Sequence, residues 1–187
     1  MENPISLRLS DNLERDRVTT LFRLILAIPH FVWLWIWGIA IYIAVIANWF
    51  VTLFQGRSPD GLYDFIAQYL RYQTQVHAYI FLIADPYPGF SGTDDYPTDL
   101  TVGPSVHQNR WITGFRMILI IPAAIVASLL WLAGELVAVF AWFAILFTGR
   151  IPMGTQYLLG WIVRFNAQVN GYAWIVTDRY PDFSTVV

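Results

Sequence analysis

The chain has no cysteine and no lysine. The first absence removes disulfides, thiolate metal sites and thiol nucleophiles together. The second makes every one of the basic residues an arginine, and against 13 acidic residues the formal net charge is only -2, so no basic footprint for nucleic acid exists. Acceptor sites of the Asn-x-Ser/Thr type are also missing. So are a P-loop, a Gly-x-Ser-x-Gly elbow and a dinucleotide fingerprint. Nothing in the sequence supports an enzyme, and no cofactor is implied.

Charge is absent over long stretches. From Leu21 to Phe54 the only charge is Arg23, and from Trp111 to Phe147 there are only Arg116 and Glu135. Both stretches exceed the roughly twenty residues needed to cross a bilayer. With 57% hydrophobic and 17% aromatic residues and a mean hydropathy of +0.50, the composition is far from soluble usage and predicts an integral membrane protein. The N-terminus "MENPISLRLSDNLERDR" has charges where a signal peptide needs an apolar core, so the first hydrophobic helix is expected to serve as the insertion signal.

What is present is written twice. "TLFQGRSPDG" from Thr52 to Gly61 returns as "ILFTGRIPMG" from Ile145 to Gly154, displaced by 93 positions. At that same offset Arg17, Thr20, Phe22, Arg23 and Pro29 match Arg110, Thr113, Phe115, Arg116 and Pro122. Downstream, Arg71, Gln75, Tyr79, Asp85, Tyr87, Pro88 and Ser91 match Arg164, Gln168, Tyr172, Asp178, Tyr180, Pro181 and Ser184. A gap-free register of this length is a tandem duplication, with units at about 1–92 and 93–187.

Each unit predicts the same elements. A short alternating stretch, Ile5 to Leu9 or Thr98 to Val102, reads as a strand. A helix follows from Arg17 or Arg110, kinks at Pro29 or Pro122, and runs to Phe54 or Phe147. Gly56 and Gly149 stand at C′ positions, and Pro59 can open the next helix. That second helix, Leu62 to Ala84 or Gln156 to Thr177, carries Asp64, Gln68, Arg71 and Gln75 at spacings of four, three and four, hence on one face. It either spans with that stripe turned inward or lies in the interface. Near-identical turns favour two crossings per unit: an all-α membrane fold of about four membrane helices, the repeats parallel about a pseudo-two-fold along the membrane normal. Arginines flanking the spans place the termini in the cytoplasm.

The combination of "AIPHFVWLW", "NWFVTLFQGRSP" and "DPYPGFS", repeated as "IIPAAIV", "AWFAILFTGRIP" and "DRYPDFS", resembles the bacterial membrane family catalogued as domain of unknown function 4389, in two tandem copies. The resemblance implies a multi-pass protein of the bacterial cytoplasmic membrane and brings no reaction or ligand with it.

Candidate residues are therefore chosen for charge in apolar surroundings. Arg71 and Arg164 lie midway along their helices, where a charge marks an interior partner or a pathway. Glu135 stands unmatched in the third long helix, and Arg57 and Arg150 sit in the repeated turns. Arg23 with Asp85, and Arg116 with Asp178, are expected to pair where each unit's helices begin and end. His30, His77 and His107 are unmatched between units and lack metal-ligand spacing, so no metal site is expected; His30 alone invites a test as an axial ligand. The function class favoured is a non-catalytic scaffold or accessory subunit, with membrane lipids and other membrane subunits or further copies of itself as partners. A lipid or small-solute binding or transport protein is the alternative.

Overall fold

The computed structural model describes residues 3–92 and 96–183; Ser184, the match of Ser91, lies outside the described residues. Its elements are β1 (Ile5–Leu9), α1 (Arg17–Leu26), α2 (Ile28–Gln55), α3 (Asp60–Ile80), β2 (Thr98–Val102), α4 (Arg110–Leu119), α5 (Ile121–Thr148) and α6 (Met153–Ala173). The boundaries repeat at the 93-residue offset.

Local chemistry explains most of these limits. Asp16 caps α1 by accepting from the Thr19 N–H, and Asn109 caps α4 by accepting from Trp111. At the expected kink, Ala27 N–H still reaches Arg23 O and Phe31 N–H reaches Ala27 O, at 2.9 and 3.0 Å, while Pro29 has no N–H to offer Ile25. Ala27, in right-handed helical φ and ψ, joins α1 to α2 at this point. Gly56 and Gly149 end α2 and α5 at φ of 76° and 73°, the left-handed C-cap that glycine adopts without strain.

The strands pair with each other across the repeat. β1 and β2 form an antiparallel ribbon in which Leu7 faces Leu100 and Arg8 faces Asp99. Because Leu7 and Leu100 are themselves repeat mates, the pseudo-two-fold axis passes through that pair. Ile5, Leu7, Thr98 and Leu100 point inward and are buried, while Ser6, Arg8, Asp99 and Thr101 face outward.

Beneath the ribbon lie α3 and α6. One face of α3 meets α2, with the Tyr69 hydroxyl donating to Leu34 O at 3.2 Å, and the opposite face meets β2, with Arg71 Nε donating to Leu100 O at 3.2 Å. On α6, Gln168 Nε2 donates to Ile5 O at 3.0 Å, and a side chain at Gly171 would collide with Ile5. Of the predicted polar stripe, Arg71 faces the ribbon, Gln68 Nε2 donates to Ser91 O at 2.9 Å and Asp64 is exposed. The fold has three layers: ribbon, then α3 with α6, then the long helices α2 and α5 with α1 and α4.

Two expectations are corrected. Only Arg17–Gln55 and Ile121–Thr148 are long and apolar enough to cross a membrane among the described residues, so two candidate spans replace four. The stripe of Gln and Arg on α3 and α6 is the reason the other two fail. The long helical rods are also not parallel to each other, as first helices that both cross under an axis along the membrane normal would be. Arg17 Nη2 donates to Phe147 O, Trp142 Nε1 to Thr20 O and Trp49 Nε1 to Thr113 O, at 3.2, 2.9 and 2.8 Å. The start of each long helical rod therefore abuts the end of the other, and the rods run antiparallel.

Candidate functional site: the buried arginine turns

The densest polar chemistry lies where α3 and α6 end. Both helices stop in a turn whose pivotal residue is not glycine: Leu82 has φ of 62° and Ile175 of 65°. A bulky side chain in this region is strained, and a branched one more so. The turn nevertheless closes, with Ile83 N–H on Ala78 O and Val176 N–H on Gly171 O, both at 2.9 Å. It leaves a row of carbonyls pointing into the protein, and arginines hold them.

In the first repeat Arg23 Nη1 donates to Tyr79 O and Ala84 O at 2.8 and 3.0 Å, and Nη2 donates to Asp85 Oδ1 at 2.7 Å. Its guanidinium lies 4.4 Å from the centre of the Tyr79 ring. Arg15 completes the turn from the other side, Nε on Leu82 O at 2.9 Å and Nη2 on Ile83 O at 2.5 Å, with Asp11 3.5 Å away. Burial lowers the Arg15 pKa from its usual value, and the charges of Asp11 and Asp85 oppose that shift.

The second repeat makes the same bonds with a different cast. Arg116 Nη1 donates to Tyr172 O and to Thr177 O, the latter at 2.8 Å, and stacks 4.6 Å from the Tyr172 ring. Its Nη2, however, goes to Gln108 Oε1 at 2.6 Å and not to Asp178. The expected Arg23–Asp85 pair is present, and the expected Arg116–Asp178 pair is not. Gln108 occupies the repeat position of Arg15, and its Nε2 donates to Ile175 O at 2.9 Å, the mate of Leu82 O. One neutral amide both replaces Arg15 at the carbonyl and supplies the acceptor that Arg116 needs. Arg15 and Gln108 escape a repeat comparison because their identities differ.

The remaining charged candidates bind locally. Arg57 meets Asp60 at 2.7 Å and Arg150 meets Glu14 at 3.0 Å, both pairs exposed. Arg71 ties α3 to the ribbon, and Arg164 Nη1 ties α6 to Asp182 at 3.4 Å. Glu135 is exposed on α5. His30 is fully buried, its Nδ1 2.7 Å from the Tyr72 hydroxyl and its ring 4.5 and 4.6 Å from Tyr87 and Phe90. His, Asp and Glu side chains form no metal-binding cluster among the described residues.

A family model, Domain of unknown function (DUF4389), matches residues 17–91 and again 110–185. The chain belongs to the DUF4389 family. Both matched copies run from the arginine that opens the first helix, through the kink and the Gly-Arg-x-Pro turn, to the segment after the buried arginine turn; Arg15 and Gln108, which complete the two turns, lie just ahead of the matched residues. No curated protein and no solved structure matches the chain.

Proposed function

We propose that this DUF4389 chain is a non-catalytic scaffold or accessory subunit resident in the bacterial cytoplasmic membrane, where it joins a larger membrane assembly. One observation carries the reading: large apolar side chains cover the outside of the rods, while the few polar side chains of α1, α2 and α4 that are buried, such as Arg23, Asn48 and Arg116, are turned inside. On α1, Val18, Leu24 and Ile25 are 67%, 67% and 62% exposed, whereas Thr20 and Arg23 are buried. In the most apolar window of each candidate span only 17% of residues are buried, the opposite of a soluble core helix. An exposed apolar surface running over four helices is a surface for lipid or partner helices.

The buried arginines support the non-catalytic part. Their Nη donors are committed to backbone carbonyls and to Asp85 or Gln108, which is the chemistry of holding a turn closed. A lipid-binding role is the competing reading. Native mass analysis of gently solubilised material separates the two: recovery with further protein subunits is expected, and a lone chain carrying only lipid would favour lipid binding.

A further inference from the structure

Resting on the reading that the outer apolar surface meets lipid, we infer that the chain is monotopic: it lies in one leaflet as a slab, with its pseudo-two-fold axis along the membrane normal and the ribbon in water.

The antiparallel rods make the choice. The axis relating them is perpendicular to both and passes through the Leu7–Leu100 pair of the ribbon. Were the rods to cross the bilayer, that axis would lie in the membrane plane at mid-depth, and the ribbon would face lipid at the bilayer centre. Arg8 and Asp99, both exposed on its outer face, would be charges set in hydrocarbon. The open edges of a two-stranded ribbon would add backbone groups that lipid cannot pair. With the axis along the normal, the same ribbon stands in water and both penalties vanish.

Length agrees. The rod Arg17–Gln55 has 39 residues, α1 and α2 with Ala27 between them, against the roughly 20 that cross a hydrocarbon core of about 30 Å. A rod lying flat has no such limit. The distribution of side chains round each rod agrees as well. Opposite the stripe that packs on α3 or α6, α2 presents Val32, Ile39, Ile43, Phe50 and Phe54, and α5 presents Ile125, Leu132, Leu136 and Phe143, all exposed and apolar.

Glu135 follows Gly134, which packs on α6, so it stands about 100° round the helix, on the flank. In a flat rod the flank lies at headgroup level, where a carboxylate is hydrated. In a crossing rod Glu135 would face hydrocarbon at mid-depth. The rod ends meet at two corners, Arg17 beside Phe147 and the Gly56 turn beside Gln108, so the exposed Arg17, Arg57, Arg110 and Arg150 stand at the corners of the slab, within reach of anionic headgroups.

The absence of cysteine makes the test direct. Gly61→Cys and Gly154→Cys place thiols in the two turns, where an added side chain meets nothing, and Ser6→Cys places one on the ribbon. Labelling the full chain in intact and in lysed cells with a membrane-impermeant thiol reagent should give one common response for all three. Opposite responses at Gly61→Cys and Gly154→Cys would mean that the rods cross, and a ribbon thiol differing from both turns would equally overturn the pose. In vesicles of phosphatidylethanolamine and phosphatidylglycerol, spin labels at Ile43→Cys and Phe54→Cys should report equal depth. A deep Ile43 label with a shallow Phe54 label contradicts the slab. Recovery of the unmodified chain in the soluble fraction would instead remove the membrane reading on which the slab rests.

Discussion

The two repeats share a backbone and differ in how they handle buried polarity. Around the first arginine turn, Arg15 and Arg23 are both buried and Asp11 and Asp85 balance them; at the matching positions of the second stand Gln108, Arg116, Pro104 and Asp178. Losing one cation goes with losing one anion. At the other end of each unit, the first repeat buries Asn48, Thr52 and Ser58, with the Ser58 hydroxyl donating to Asn48 Oδ1, while the second buries Ala141, Ile145 and Ile151. What stays constant is the satisfaction of the turn carbonyls: Tyr79 and Tyr172, Ala84 and Thr177, Leu82 and Ile175 all accept in both halves. A buried carbonyl cannot be left unpaired cheaply, whereas a charge pair or a polar cluster can be exchanged for neutral or apolar groups if both partners change together.

The largest effect should fall on the shared feature. Arg23→Ala and Arg116→Ala each strand two buried carbonyls and one further acceptor and leave a cavity. Each should lower stability in detergent by about 3 kcal/mol or more in thermal or denaturant unfolding. If only one of the two does so, the carbonyl clamp is not what the repeats have in common.

Next comes the charge pair that only one repeat has. Asp85→Ala leaves Arg23 and Arg15 short of an anion and should cost about 2 kcal/mol, whereas Asp178→Ala should cost no more than about 0.5 kcal/mol. A double-mutant cycle on Arg23 and Asp85 should return a coupling of about 1 kcal/mol or more, and the same cycle on Arg116 and Asp178 one close to zero. Equal couplings would erase the distinction drawn between the halves.

A smaller effect tests the other end. Asn48→Ala alone should destabilise by about 1–2 kcal/mol, because Ser58 loses its acceptor in a buried site. Changing Asn48, Thr52 and Ser58 together to Ala, Ile and Ile, the second repeat's set, should recover most of that loss in the same unfolding assay. A triple variant weaker than the single one would show that the two packings are not interchangeable.

A pH-dependent effect concerns repeat mates of which only one titrates. Burial lowers the pKa of His77 to about 4 from 6.5, and its mate is Asn170. Between those values the unfolded chain binds a proton that the folded chain does not, so stability should fall as pH is lowered from 6.5 towards 4, and level off below. The drop should be about 1.4 kcal/mol per pH unit within that range, about 3 kcal/mol in all, and His77→Asn should flatten it relative to the parent in parallel unfolding series. An unchanged slope would mean that His77 takes up its proton in the folded state as readily as in the unfolded one.

Much of this molecule is legible in the chain. The repeat fixes where every element recurs, since glycine at C′, proline inside the kink and Asp or Asn at the helix start act through a few neighbouring residues and leave their mark in sequence. The Arg23–Asp85 pair is expected where each unit's helices begin and end, and two short strands follow from alternation. The partner of Arg116 does not follow, because Gln108 is a neutral residue whose role depends on two side chains meeting from different segments. Nor does alternation in Ile5–Leu9 and Thr98–Val102 say that these strands pair with each other, and a polar stripe at spacings of four and three says that one face is polar without saying what it meets. From the chain alone follow the duplication, the helical content and two long, nearly charge-free stretches, which read as half of four spans. That the rods run antiparallel, that α3 and α6 are sandwiched beneath a ribbon built from both repeats, and that the second arginine turn is neutralised by an amide come only from the folded arrangement. Those features arise from contacts between residues far apart in the chain, and such contacts impose no periodicity on the segments that make them.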